Sequence, residues 1–433
     1  MDGKVEGHSL TVDWAINKDL SLVSISAFRK FEVDNSQDSD GSPVFVFDTI
    51  SGDDVEDFTQ ELRLVGSAMD SRLDYVAGAY YMDEDIKEIY TVNIVPTYGY
   101  TASGTTASAK NEVWALFGEG TYALTERLDA TLGLRYTKED REMSRTDTLV
   151  IPAFGRNTAT PLPDVGKNFE NISGTLSLAY QWTDDIMTYA KVSRGYASGG
   201  FNPRAPDPDS YKAVYDEETI WNYEIGWKTA WLDNRLVVNG AIFYADYRDL
   251  QVTVITAAGR GTISNASDAD IKGLELEIQA RPLENLELGA GYGYLDPEYK
   301  NYILHTTGQD VSDIYQWAQA PDNTFSAYGR YVVPNFMSAG DLVFRVDYSW
   351  TDDRSLLAAP DNWVKSYDHV NARVALDNIR GPGGSKINIA LWGKNLTDEL
   401  YYTSGYNLTA NLGFRAMAVS EPRTYGVDLV IEW

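Results

Sequence analysis

Few side chains in this sequence are arranged to do covalent chemistry. The three histidines, His8, His305 and His369, stand apart, without H-E-x-x-H or comparable metal-ligand spacing. No G-x-S-x-G elbow presents a serine nucleophile. Ser366 and His369 sit near each other at a loop-to-strand junction, but no third group completes a catalytic pattern. With no cysteine, disulfides and thiolate metal sites are excluded. The acidic run Asp34-Asn35-Ser36-Gln37-Asp38-Ser39-Asp40-Gly41 fits a calcium loop poorly, with Ser36 at the first ligand position and Phe47 where a bidentate glutamate belongs. That run and the Asp53-Asp54 pair read as solvated acidic loop. No enzyme activity, bound metal or cofactor is therefore expected.

What the chain does offer is aromatic rings: 29 Tyr, 14 Phe and 11 Trp. Many fall in stretches rich in Gly, Asp and Pro. The candidate ligand contacts are Tyr98, Tyr100, Tyr196, Phe201, Arg204, Tyr211, Tyr215, Tyr299, Tyr302, His305, Tyr401, Tyr402 and Tyr406. Rings with a few Arg, Asn and His residues suit capture of an aromatic compound, a chelate or a sugar by stacking and hydrogen bonding. Each ring taken singly could equally serve an interfacial belt or the packing of its own loop. The formal charge of −28, without a basic stripe, argues against nucleic acid as a partner.

The elements that must position these rings are strands. Mean hydropathy is −0.33, and no apolar run approaches the roughly 20 residues of a membrane-crossing helix. Alternation recurs instead. Leu176, Leu178, Tyr180 and Trp182 oppose Thr175, Ser177, Ala179 and Gln181. Trp221, Tyr223, Ile225, Trp227 and Trp231 oppose Asn222, Glu224, Gly226 and Lys228. Leu274, Leu276 and Ile278 oppose Glu275, Glu277 and Gln279, while Leu342, Phe344, Val346, Tyr348 and Trp350 oppose Arg345, Asp347 and Ser349. At the C-terminus Tyr425, Val427, Leu429, Ile431 and Trp433 share one face. Each segment runs about ten residues, enough for a tilted strand to cross a bilayer.

Composition alone leaves a Tyr-rich sandwich or propeller open beside a membrane barrel. The connections separate them. Tight links at Asn17–Asp19, Gly66–Arg72, Leu124–Arg127, Trp182–Asp185, Leu232–Asn234, Arg281–Glu284, Val333–Gly340 and Asn378–Ser385 alternate with long stretches near 32–56, 83–109, 140–167, 196–217, 248–269, 297–321, 351–366 and 395–423. Short periplasmic turns and long extracellular loops are the pattern of an outer-membrane barrel. No repeat of about 40 residues marks propeller blades. The predicted fold is all-β, a transmembrane antiparallel β-barrel of about 17 strands. Strand direction predicts a first strand, near His8–Ile16, and a last strand that both descend to the periplasm. An odd count implies that the beginning of the barrel is missing.

Several phrases then become specific together. Phe58-Thr59-Gln60-Glu61-Leu62-Arg63-Leu64, Ser193-Arg194-Gly195-Tyr196-Ala197-Ser198-Gly199-Gly200-Phe201-Asn202, Asn222-Tyr223-Glu224-Ile225-Gly226-Trp227-Lys228 and Ile271-Lys272-Gly273-Leu274-Glu275-Leu276-Glu277 occur in that order. Asn395-Leu396-Thr397-Asp398-Glu399, Tyr401-Tyr402 and Glu421-Pro422-Arg423-Thr424-Tyr425-Gly426 complete the series. Over essentially the whole chain this resembles TonB-dependent outer-membrane receptors of the siderophore-receptor kind. The resemblance implies a 22-stranded barrel around an N-terminal plug, in the outer membrane of a Gram-negative bacterium. Residues 1–433 would then be an N-terminally incomplete barrel domain, with no plug, TonB-binding segment or signal peptide visible. About five strands of the presumed 22 would be lacking.

The same resemblance implies energy-coupled uptake of a scarce ligand, foremost a ferric siderophore or similar metal chelate, with vitamin B12 and oligosaccharides open. TonB would act only through the plug. The terminal residues Tyr425, Val427, Leu429, Ile431 and Trp433 would be read by the barrel-assembly machinery, and the wall would meet lipid and lipopolysaccharide. Lumen-facing Arg135, Glu224, Lys228, Glu275, Glu277, Arg345 and Arg373 would face plug and water. A passive porin-like or surface-binding barrel is the alternative, and an outer-membrane enzyme on a barrel scaffold a third.

Overall fold

In the computed structural model the described residues are 2–41, 43, 45–94, 101–255, 261–304, 307–359, 362–408 and 414–433. Seventeen long antiparallel strands follow one another round a single curved sheet, each paired with its neighbours in sequence. The first is Asp2–Asn17 and the last is Thr424–Glu432. An eighteenth member of the sheet, Arg156–Pro161, only folds back on the tip of Leu128–Ile151. Two small hairpins, Arg354–Ser355 with Trp363–Val364 and Tyr402–Leu408 with Phe414–Val419, decorate one end. Among the described residues the one α-helix is Pro208–Lys212, and no helix is long and apolar enough to cross a membrane.

Register turns the alternation into continuous apolar rows. Leu62 stands opposite Ala79, Ala79 opposite Leu116, Leu116 opposite Tyr136 and Tyr136 opposite Ile172. A second row runs Leu178, Ala190, Ile225, Ile242, Leu274, Tyr294. A third joins Phe344, Val374, Leu391 and Val427. Leu116, Ile225 and Leu391 are each more than 60% exposed, so this face is greasy by design and has no protein cover. Aromatic neighbours cap the rows: Phe28 opposite Phe58, Tyr81 opposite Trp114 with ring centroids 4.4 Å apart, and Tyr292 opposite Phe325.

Above that girdle the outer face turns charged. Lys30 bonds to Glu56 at 2.7 Å and Glu32 at 3.0 Å, and Lys300 reaches Asp246 at 3.2 Å and Asp270 at 2.5 Å. The cross-strand pairs among these, Lys30 with Glu56 and Lys300 with Asp246 and Asp270, keep the ladder regular where lipid no longer supports it. This corrects the expected element lengths. Strands reach 22 residues in Phe47–Ala68 and Leu73–Ile94, 23 in Thr101–Ala123 and 24 in Leu128–Ile151. Much of the supposed loop sequence at 32–56, 83–109 and 140–167 is therefore wall rising well beyond a bilayer. Acidic, Gly-rich sequence looked like loop because the outer face is wetted there and only scattered residues such as Val92, Ala107 and Met143 are covered, which leaves no apolar alternation to betray the strand.

The short turns stand where expected. Met69, Asp70 and Ser71 take φ of +55° to +63°, and Leu232, Asp233 and Asn234 do likewise at +55° to +62°. Asp, Asn and Ser tolerate this left-handed region better than branched residues, so two or three of them can reverse the chain. Among the described residues Asp2–Asn17 pairs only with Leu20–Asp38, and Thr424–Glu432 only with Lys386–Lys394. The sheet thus presents two unpaired edges.

Candidate functional site

At the extracellular ends the strands carry three clusters of side chains. The first is built by residues 198–217, which fold across the wall instead of away from it. Gly200 and Tyr215 exchange backbone hydrogen bonds at 3.0 and 3.1 Å. Asp207 caps the Pro208–Lys212 helix, accepting from the backbone of Asp209 and Ser210. Asn202 donates to the carbonyl of Ile263 at 3.1 Å and accepts from its N–H at 2.7 Å. Arg204 reaches Glu88 through two bonds, 2.9 and 3.2 Å, with its guanidinium 4.4 Å from the Tyr90 ring centroid. Burial by itself would lower the Arg204 pKa, yet the Glu88 carboxylate raises it. Asp53, facing Glu88 across the ladder, is pushed above the usual carboxylate range by burial and then by Glu88.

Tyr211 anchors this segment. It is fully buried with Phe201, Ala205, Ala107 and Met143, and its one hydroxyl proton is shared between the carbonyls of Met143 at 3.2 Å and Pro163 at 3.1 Å. Tyr211 and Phe201 are therefore packing residues of the loop, with no free ring face for a ligand. Tyr211→Ala is expected to cost about 3–5 kcal/mol in local opening of residues 198–217, read as faster proteolysis and hydrogen exchange there with the wall strands unchanged.

The second cluster lies between strands Leu236–Ile255 and Leu286–Tyr302. Tyr299 stacks on Trp317 at 4.9 Å and 17°, and Tyr302 meets Tyr315 edge-on at 5.2 Å. Tyr247, Leu250, Val252, Ala266 and Val311 close round them. Tyr302 is 2% exposed, so it too is committed to the loop core. Burial pushes the Tyr299 hydroxyl up to about 12. Folded protein therefore keeps it neutral beyond pH 10, and stability from this cluster is complete below pH 10 and falls between 10 and 12. A phenolate absorbance titration should show Tyr299 silent until pH 12 or until the cluster opens; Tyr299→Phe should remove that late step.

The third cluster combines Arg354, Tyr367, His369 and Tyr401. Tyr367 and Tyr401 are stacked with centroids 3.6 Å apart and planes 6° off parallel, and His369 lies 5.3 Å from Tyr401. Arg354 donates to the Tyr367 hydroxyl at 2.9 Å. Burial, and then Tyr367, raises the Tyr401 pKa, so the phenol stays protonated.

Of the remaining sequence candidates, Tyr196 donates to Glu139 at 3.1 Å, Tyr215 packs near Gly200, and Tyr402 is exposed. Tyr98, Tyr100 and His305 lie outside the described residues, as does the Tyr406 side chain. Sequence reasoning missed Tyr247, Tyr315, Trp317, Arg354 and Tyr367. All but Tyr247 and Tyr367 lie within stretches already read as loops, where only the long-range pairing shows which rings meet. Asp38, Asp40 and Asp48 bring carboxylate oxygens within 4.8 Å of one another. Asp38 and Asp40 hold the turn between their strands, Asp38 accepting from the backbone of Asp40 and Gly41 and Asp40 from Val46 and Phe47.

A continuous antiparallel wall, lipid-compatible rows, an aromatic girdle and a loop-built mouth define an outer-membrane β-barrel protein. Residues 2–396 match the family described as TonB dependent receptor-like, beta-barrel, and the chain belongs to that family. It is 25% identical over 383 residues to the pesticin receptor of Yersinia enterocolitica, covering 86% of this chain and 51% of that protein. It is 24% identical over 284 residues to a probable TonB-dependent siderophore receptor, PiuA, of Acinetobacter baumannii, covering 64% of this chain and 35% of the relative. The solved ferric yersiniabactin uptake receptor FyuA from Yersinia pestis superposes with a TM-score of 0.81 at 21% identity, over 99% of this chain and 61% of that one. The chain spans about half the length of the pesticin receptor it matches.

Proposed function

We propose that this chain forms the wall and ligand-capturing mouth of an outer-membrane receptor for energy-coupled uptake of a metal chelate, foremost a ferric siderophore. The observation that carries the reading is the family match along nearly every strand, together with loops that pack into defined clusters at one end. Siderophore receptors and a ferric siderophore uptake receptor stand among its relatives and structural neighbours. The family is one of receptors. Tyr196, Arg204, Tyr215, Tyr299, Tyr401 and Tyr402 remain the mouth residues proposed from the sequence.

The two sheet edges bear on domain organisation. A bilayer admits no open edge, because N–H and C=O groups there find no water. We read residues 1–433 as part of a larger barrel whose further strands join both edges, with a plug through which TonB would act. Tyr425, Val427, Leu429 and Ile431 are all more than 40% exposed on the last strand, as a signal for the assembly machinery requires. The charged collar above the girdle would meet lipopolysaccharide headgroups.

The test is accumulation of radioactive iron by iron-starved cells carrying or lacking the native gene, with and without TonB. Uptake of a chelate that needs both gene and TonB supports the reading. Uptake that ignores TonB, with ion conductance in planar bilayers, would replace it by a passive pore.

A further inference from the structure

Residues 198–217 lie inside the mouth, as strand register shows. On the ladder of Thr101–Ala123 with Leu128–Ile151, Leu116 and Tyr136 face lipid. Thr105, Ala107, Met143 and Arg145 stand at odd offsets from them with no shift in register. The same holds for Glu88 against Ala79, the member of the lipid-facing row on Leu73–Ile94. These residues therefore face inward. The 198–217 segment leaves Ile186–Ala197, crosses the inner face of three intervening strands and ties down on a fourth through Arg204 and Glu88. On the way Tyr211 covers Ala107, Met143 and Arg145, with the Arg145 guanidinium carbon 5.3 Å from its ring centroid.

Arg145 is the odd member of this packing. It is 2% exposed, and only its Nε is used, donating to Asp147 at 2.6 Å. Nη1 and Nη2, which carry the remaining N–H groups, are buried without a hydrogen-bond partner. Among the described residues no other cationic side chain has buried nitrogens in that state. Thr105, opposite Asp147 and equally buried, has a hydroxyl without a partner, as does Ser198 at the start of the segment. Such groups cost free energy wherever water is excluded, and charged ones cost most. The Tyr211 ring attracts the guanidinium, but a ring quadrupole replaces only part of the lost hydration. The Glu88 end is the opposite case, since Arg204 places both Nε and Nη2 on that carboxylate. Closure of the segment therefore gains at Glu88 and loses at Arg145.

We propose that residues 198–217 are a gate across the inner wall of the mouth, latched by Arg204 on Glu88, and that Arg145 keeps the gate openable. Shut, the gate holds the Arg145 guanidinium and the Thr105 hydroxyl away from water with their hydrogen bonds unmade. Lifted, it lets water reach both and clears the inner wall beneath Tyr211. The buried charge thus works against closure, and the latch works for it. This holds for whichever solute the mouth admits, so it stands apart from the choice of ligand.

The chain has no cysteine, so a single A107C reporter, buried beneath Tyr211, can follow opening. Whole cells carrying the native gene with A107C are treated with a membrane-impermeant maleimide, and the gene without the reporter gives the background. Heat-modifiability and surface abundance verify assembly of each variant. Where closing outpaces labelling, the rate follows the open population. E88Q in the reporter background should label about ten-fold faster, since the latch loses its charge. D147N should also label faster, because Arg145 is then buried without a counter-ion. R145M/D147N should label about ten-fold slower than the reporter parent, because apolar volume replaces the buried ion pair. T105V, which removes the unpartnered hydroxyl at equal volume, should slow labelling roughly three-fold. Labelling of R145M/D147N at the parental rate or faster overturns the proposal, for Arg145 would then hold the segment down. If that double variant does not assemble, T105V decides, and labelling at the parental rate or faster overturns the proposal in the same way. E88Q labelling at the parental rate sinks the latch.

Discussion

A polypeptide confined to residues 1–433 is expected to give no protease-resistant, heat-modifiable barrel in the outer membrane. The physical reason is the pair of edges at Asp2–Asn17 and Thr424–Glu432, which have no partner on one side among the described residues. In a strand, alternate residues direct N–H and C=O toward a given neighbour. Over the roughly ten residues that cross a bilayer, each edge therefore leaves on the order of ten backbone groups unpaired. At about 2–7 kcal/mol per unpaired polar group, the two edges cost tens of kcal/mol, far more than the net stability of a folded domain. Pairing the two edges with each other would require a narrower barrel of odd strand number. Semi-native electrophoresis and surface proteolysis of this chain, with and without additional strands fused ahead of Asp2, provide the measurement. A folded, membrane-inserted product from residues 1–433 alone would show that the edges are satisfied in some other way.

Replacement of Gly426 by valine is expected to block closure of the last strand on its neighbour. Gly426 stands opposite Trp392, on the face away from lipid-exposed Tyr425 and Val427. A Cβ at position 426 would overlap the Trp392 indole at Cζ2 and Cε2. The indole has little freedom to retreat, because its Nε1 donates to Asp428 at 2.9 Å. Overpacking of this kind costs about 1–3 kcal/mol when the ring can shift, and more where it is tethered. Here the damage falls on the strand proposed as the assembly signal, so loss of mature protein from the outer membrane should exceed the loss of stability. Trp392→Leu should restore much of the assembly in the Gly426→Val background while doing little by itself. That double-mutant cycle separates a steric clash from a general requirement for glycine. Equal surface levels of wild type and Gly426→Val would refute it.

How much was legible before folding depends on the solvent that each face meets. Alternation at Leu176–Trp182, Trp221–Trp231 and Tyr425–Trp433 was readable because lipid on one face and water on the other stamp a period of two on the residues. The turns were readable because Asp70 in Met69-Asp70-Ser71 and Asp233-Asn234 in Leu232-Asp233-Asn234 are residue types that tolerate positive φ. Between Asp83 and Ala109 the signal vanished although the strands continue through Ile94 and from Thr101, since the few covered apolar residues there, such as Val92 beside Phe47 and Ala107 beside Tyr211, are too scattered to stamp a period. The loops resisted for a different reason. Nothing near Tyr211 in sequence tells that its hydroxyl ends on Met143 and Pro163, 68 and 48 residues away.

Sequence alone therefore determined the barrel class and the lipid-facing residues, because these follow from local periodicity and from what a bilayer demands of a backbone. Tertiary structure alone decided which of the many mouth aromatics are core and which are free. It buried Tyr211 and Tyr302, and it gathered Arg354, Tyr367, His369 and Tyr401 from separate segments. Ring contacts and counter-ion pairing depend on neighbours brought close by strand register, and no residue's own type carries that information.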